Sequence, residues 1–113
     1  MHTRVFTRLG LVGNGASEFS QPVAMNGANA AQVECVVFAN SGVAATVTFT
    51  LQESDDLENW TTKATLSNPP TDLGYFLQDQ TTGISTAYIR LKAALTGTSP
   101  RTVFSAGINT AAL

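Results

Sequence analysis

The densest concentration of reactive side chains is the run Glu53-Ser54-Asp55-Asp56-Leu57-Glu58. Clustered carboxylates supply hard oxygen ligands, so a calcium loop is the first chemistry to weigh. The spacing departs from an EF-hand, and the glycine that such a loop requires is missing. Ser and Asp side chains also hold tight turns by accepting bonds from backbone N–H groups. That reading needs no ion and makes the segment a hairpin loop. Glycoside hydrolysis would need two acids facing each other across a cleft; here the acids are bunched in one loop, with Asp72 and Asp79 in another expected loop. A Ser-His-Asp arrangement has only His2 to draw on, at a terminus where fraying is expected. Cys35 is the single cysteine, which rules out an intramolecular disulfide or a thiolate cluster. Within Val33-Glu34-Cys35-Val36-Val37-Phe38 it reads as a small buried hydrophobe. Gly10-Leu11-Val12-Gly13-Asn14-Gly15 is glycine-rich, but it precedes no helical pattern and lacks the Lys-Ser/Thr of a phosphate loop, so it reads as a turn. Trp60, Tyr75, Phe76 and Tyr88 offer the makings of a sugar-stacking platform. The simpler reading packs Trp60 over the core at the start of its strand, with its N–H bonded near the loop. Asn59-Trp60-Thr61 also matches a glycosylation sequon. No catalytic, cofactor-binding or metal-binding residue is expected, and the chain is not expected to be an enzyme.

The elements that would position these groups are strands. Residues 45–52 give the clearest alternation: Ala45, Val47, Phe49 and Leu51 point one way and Thr46, Thr48, Thr50 and Gln52 the other. A period of two is a half-buried strand. Residues 85–95 repeat the pattern with Ala87, Ile89, Leu91, Ala93 and Leu95. Residues 32–39 are apolar at almost every position, as expected of a central strand covered on both faces. Further strands are expected over 4–12, over 18–25 (interrupted by Pro22, which suits an edge or bulge), over 60–66, over 73–78 and over 102–108. Asn26-Gly27, Asn40-Ser41-Gly42, Asn68-Pro69-Pro70 and 97–100 punctuate them, and 55–60 has room for one helical turn. About eight strands with turns every 8–12 residues predict an all-β protein, an antiparallel β-sandwich of jelly-roll or immunoglobulin-like type. Residues 1–113 form one domain on this reading, with short terminal arms at 1–8 and 109–113.

Composition narrows the function. Charged residues make up 12% of the chain, about half the ~25% of an average soluble domain. A surface covered by neighbours has less need of charge than an isolated one, which points to an assembled protein. The net charge of −2 and six scattered basic residues leave no phosphate track, so nucleic acid is not an expected partner. No apolar run approaches membrane-spanning length and no leader is visible, so synthesis in the cytoplasm and a soluble state are expected.

Leu51-Gln52-Glu53-Ser54-Asp55-Asp56-Leu57-Glu58-Asn59-Trp60-Thr61 resembles a hairpin common in small β-sandwich structural proteins of tailed bacteriophages, in which a strand runs into Gln-x-Ser-x-Asp and Trp-Thr opens the next strand. Ala87-Tyr88-Ile89-Arg90-Leu91 is similar to the aromatic-aliphatic-Arg-aliphatic strand that often follows. The likeness covers roughly the second half of the chain. It implies a structural virion protein, a head decoration or cementing protein on the capsid surface. Such a protein stabilises the shell as a homo-oligomer, often a trimer, bound to the major capsid protein, with no cofactor, nucleic acid or membrane involved. The alternatives are a carbohydrate- or receptor-binding β-sandwich module and a phage tail subunit.

Overall fold

The computed structural model describes residues 1–67 and 69–113. Among them are seven strands: β1 (His2–Val12), β2 (Ser17–Phe19), β3 (Val23–Ala24), β4 (Ala30–Ser54), β5 (Thr61–Thr65), β6 (Gly74–Leu77) and β7 (Tyr88–Ala111). All are joined antiparallel in the order β1-β7-β4-β5, with β2 and β3 also on β7 and β6 also on β4. The expected all-β sandwich is what forms, built from one hydrogen-bonded sheet folded on itself. Two strands dominate it. β4 has 25 residues and β7 has 24, and they pair from Ala30↔Ala111 to Ser54↔Tyr88. Twenty-five extended residues would reach roughly 80 Å at about 3.3 Å per residue, whereas the longest dimension of the protein is 40 Å. The ribbon therefore bends back and makes two layers.

The bend lies at residues 41–44 of β4 and 96–100 of β7. Gly42 and Gly97 have φ of 109° and 135°, a region that favours glycine. The sequence-based reading took 40–42 and 97–100 as loops separating strands. In the structure the ladder runs on through them, with Ser41↔Arg101 and Val43↔Thr98 still paired. Four expected strands thus merge into two. One layer holds β6, residues 30–41 of β4, residues 101–111 of β7, and β1. The other holds β5, residues 43–54 of β4, residues 88–98 of β7, and β2 with β3.

A register shift makes this work. In the first layer Val33, Cys35 and Val37 face Ile108, Ala106 and Phe104; in the second Val47, Phe49 and Leu51 face Leu95, Ala93 and Leu91. Inward positions on β7 change from odd to even across the bend, because the three irregularities between Val37 and Thr46 together add a net one residue to β4 relative to β7. A one-residue slip without it would turn one apolar row to solvent. Both rows enter a single apolar cluster, and the Phe104 ring sits edge-on to Phe49 from the other layer and to Phe6, at 5.6 and 5.7 Å. Each large side chain buried there stabilises the fold by about 1.5–3 kcal/mol. Of the expected second row, Ile89, Leu91, Ala93 and Leu95 are in the core, and Ala87 is exposed before the strand begins.

Three local expectations change. The segments read as terminal arms are rungs of the sheet: His2 pairs with Asn109 and the N-terminal amine donates to Thr110 O. Backbone pairing with β7 and β4 holds them there, and within residues 1–8 only Phe6 is buried. Residues 55–60 form a bend rather than a helical turn, because Ser54 and Asp56 side chains take up the N–H groups. The strand expected over 18–25 divides around Pro22 into β2 and β3, and Ser20 bridges the gap by accepting from Leu91 N and donating to Gln21 O. The expected break at Asn68-Pro69-Pro70 includes Asn68, which lies outside the described residues.

Candidate functional site

The acidic run is a self-contained turn. Ser54 Oγ accepts from Asp56 N and Leu57 N. The Asp56 carboxylate accepts from Glu58 N, Asn59 N, Asn59 Nδ2 and Ser54 Oγ at 2.7–3.0 Å. Those bonds, led by the Asn59 and Glu58 amides, hold Asp56 well below the usual carboxylate range. Asp55 accepts from Ala87 N and ties the loop to the start of β7. Asp55 and Asp56 are thus committed to holding the hairpin, and the Asn59 amide of the sequon is bound to Asp56. Asp72 and Asp79 are apart from this loop; Asp79 accepts from Ser67 Oγ.

Trp60 is not over the core. Its ring lies on the outer face of the second layer against the Arg90 guanidinium, 4.4 Å away, and the Phe19 ring contacts the same guanidinium at 4.2 Å. Its indole N–H donates to Leu57 O in the loop, as expected. Arg90 Nε donates to Gln52 Oε1 at 2.7 Å, directly across the ladder. This stack is a cation–π clamp, and it draws Trp60 away from Tyr75, which belongs to the other layer. The four aromatics therefore do not share a platform. Tyr88 instead lines a recess of about 490 Å³ at one end, between residues 24–29 and 84–88.

The constellation not foreseen lies on the outer face of the first layer. Glu34, at the middle of β4, accepts from Tyr75 OH on β6 at 2.7 Å and meets His2 Nε2 on β1 at 2.6 Å. His2 reaches Glu34 by crossing β7 over Gly107, where a Cβ would run into the imidazole. One polar strip thus spans four strands. The Tyr75 hydroxyl, then His2 and Arg4, hold the Glu34 carboxyl below its ordinary range, and the same bond raises the Tyr75 phenol above its own. The depression over the strip has a volume of about 60 Å³, room for one or two waters. Only a glutamate inside an apolar run hinted at this, since its partners come from residues 2 and 75.

Around the strip the face is apolar. Val36 and Val103 are half-buried, Phe38 is 43% exposed beneath the Arg8 guanidinium, and Leu73, just before β6, and Tyr75 and Leu77 within it are 61%, 59% and 53% exposed. The sequence of 32–39 is that of a strand covered on both faces, yet this chain covers only the inner one. Cys35 is buried inward, and burial pushes its thiol up to about 12. No three His, Cys, Asp or Glu side chains gather where they would hold a metal ion among the described residues.

No family model and no curated protein matches the chain in sequence. Its backbone is similar to a chain in the structure of infectious bursal disease virus Gx strain, with TM-score 0.60 and 9% identity over 98% of this chain and 31% of the viral one. A chain of the Gt strain gives TM-score 0.54 and 11% identity over 98% and 32%. A family 6 carbohydrate-binding module aligns with TM-score 0.48 and 15% identity over 99% and 82%. The chain spans about a third of the length of the viral chains it matches. At these identities what is shared is the fold, and the domain has the antiparallel β-sandwich architecture present in a chain of a virus particle.

Proposed function

We propose that this domain is a structural virion protein, one that decorates or cements a tailed-phage head by binding copies of itself and the major capsid protein. It acts through surface area and strand contacts, without catalysis, cofactor, nucleic acid or membrane. The observation that carries the reading is the outer face of the first layer. There Phe38, Tyr75 and Leu77 lie open beside a half-buried Val36, on strands whose composition calls for cover. The low charge of the chain, the hairpin resemblance and the virus-particle fold point the same way.

Co-sedimentation with DNA-free shells of the major capsid protein tests it. The protein should pellet with shells saturably and raise their melting temperature. Phe38→Lys should weaken binding about tenfold or more, with circular dichroism verifying that the variant is folded. A protein that stays in the supernatant at every concentration, as a strict monomer, would refute the proposal.

A further inference from the structure

A sheet edge offers a row of unpaired N–H and C=O groups, and proteins that remain single blunt such edges with charge, proline, bulges or short strands. Three of the four edges here are blunted. β1 carries Arg4 and Arg8 and two register shifts. β2 and β3 have three and two residues and flank Pro22. β5 carries Lys63, bound through its ammonium to Gly83 O, and faces a shift between Leu51 and Gln52. β6 is short, at four residues, but it lacks the other devices: residues 73–78 contain no charge and no proline, and its pairing to β4 runs without a shift.

The direction of its free groups follows from the ladder. Gln78 N donates to Val33 O on β4, and antiparallel strands alternate which residues turn inward to a given partner. Phe76 therefore turns its N–H and C=O to β4, and Tyr75 and Leu77 turn theirs to the open edge. Their side chains are the exposed apolar row of the outer face.

We propose that β6 is a homotypic docking edge, on which a second copy of this chain adds its own β6 antiparallel across a two-fold axis at Phe76. Tyr75 then pairs with Leu77 of the partner subunit, and Leu77 with Tyr75 of the partner subunit. Four backbone hydrogen bonds close the junction, and the apolar rows of both copies lie side by side on one continuous face. Three observations select a second copy as the occupant. The unpaired backbone calls for a strand. β6 is the one edge among the described residues without charge, proline or bulge, and two copies present the same open groups to each other. The segment is uncharged, so identical surfaces meet without repulsion. Tyr75 is already held by its bond to Glu34, which lowers the ordering cost of docking. Edge pairing brings Tyr75 and Leu77 of the two copies together but leaves the outward side of the face open, so the buried area lies below a standard interface. The contact is weak alone and effective where a lattice repeats it. This inference rests on the assembly reading above.

Sedimentation equilibrium across micromolar to millimolar concentrations tests it with the intact chain. The mass should rise from 11.9 kDa toward twice that value. Leu77→Pro removes only an edge-facing N–H, and so two of the four intersubunit bonds; it should raise the dissociation constant about tenfold or more. Leu77→Lys, which keeps the backbone, should do the same by setting like charges across the axis. Circular dichroism verifies that each variant is folded. Oligomers that persist undiminished in both folded variants would overturn the edge and leave assembly through another surface. A wild-type chain that is monomeric throughout and ignores shells would overturn both readings.

Discussion

Replacing Gly42 by alanine should open the bend at which β4 crosses from one layer to the other. Two terms add. A φ of 109° is a conformation that costs a side-chain-bearing residue of order 1–3 kcal/mol. The added methyl would also lie 2.7 Å from Ser99 O, 2.8 Å from Thr98 O and 2.9 Å from Pro100 Cα. All three are backbone atoms of β7, pinned on either side by the Ser41↔Arg101 and Val43↔Thr98 rungs, so the strand must move as a unit at a further cost of about 1–3 kcal/mol. The expected loss is about 4 kcal/mol, which lowers the melting temperature by about 15 °C or more at roughly 4–8 °C per kcal/mol. Gly13 is the control, because its φ of 97° carries the conformational term but a methyl there would meet nothing within 4 Å. Calorimetry and urea unfolding of both variants isolate the steric term as their difference. Equal losses at positions 13 and 42 would refute the reasoning that the two long strands touch through bare backbone at the bend.

Phe104→Ala should cost about 3–5 kcal/mol in urea unfolding, since that ring joins Phe6 and Phe49 across the layers; a loss under about 1 kcal/mol would remove it from the centre of the core. Cys35, buried with its thiol pushed up to about 12, should resist Ellman's reagent in the folded protein and react fully in urea; labelling within minutes under native conditions would contradict its placement. Glu34 is held below its ordinary range by Tyr75, then His2 and Arg4, so the folded state binds fewer protons than the unfolded chain in mild acid. Its stabilisation is complete above the unfolded value of about 4.3 and is lost as pH falls through the lower folded value. The gap in urea midpoint between wild type and Glu34→Gln should therefore close on going from neutral pH to below about 4; parallel curves would rule out the strip as a stabilising contact.

Much of the strand pattern is legible in the sequence. Val47, Phe49 and Leu51 alternate with threonines because a strand with one buried face leaves that period in its composition, and all three enter the core. The hairpin at 53–59 was readable because Ser54 and Asp56 act on amides two or three residues away. What escaped was non-local. Gly42 and Gly97 carry the same signature whether they end a strand or bend one, and only the pairing of β4 with β7 distinguishes these cases. His2 looked free because nothing near it in sequence names Glu34, 32 residues on. The open face over Val36 and Phe38 was visible only as a mismatch: a strand composed for cover on two sides, and a fold that covers one.

The β4–β7 pairing also sets an order in time. Its rungs are nested, from Ser54↔Tyr88, 34 positions apart, to Ala30↔Ala111, 81 apart. Closing the innermost rung bears most of the chain-closure entropy, since each doubling of loop length adds only about 0.6 kcal/mol. Once Ser54 meets Tyr88 the ribbon can zip outward, turn the corner at Gly42 and lay down the first layer last. Such long-range pairing puts folding in the millisecond-to-second range, with φ-values highest near Leu51 and Leu91 and lowest near Val33 and Ile108. The layer that bears β6 is thus completed at the end of the sequence of events, so a chain acquires its docking edge only after the rest of the domain has formed.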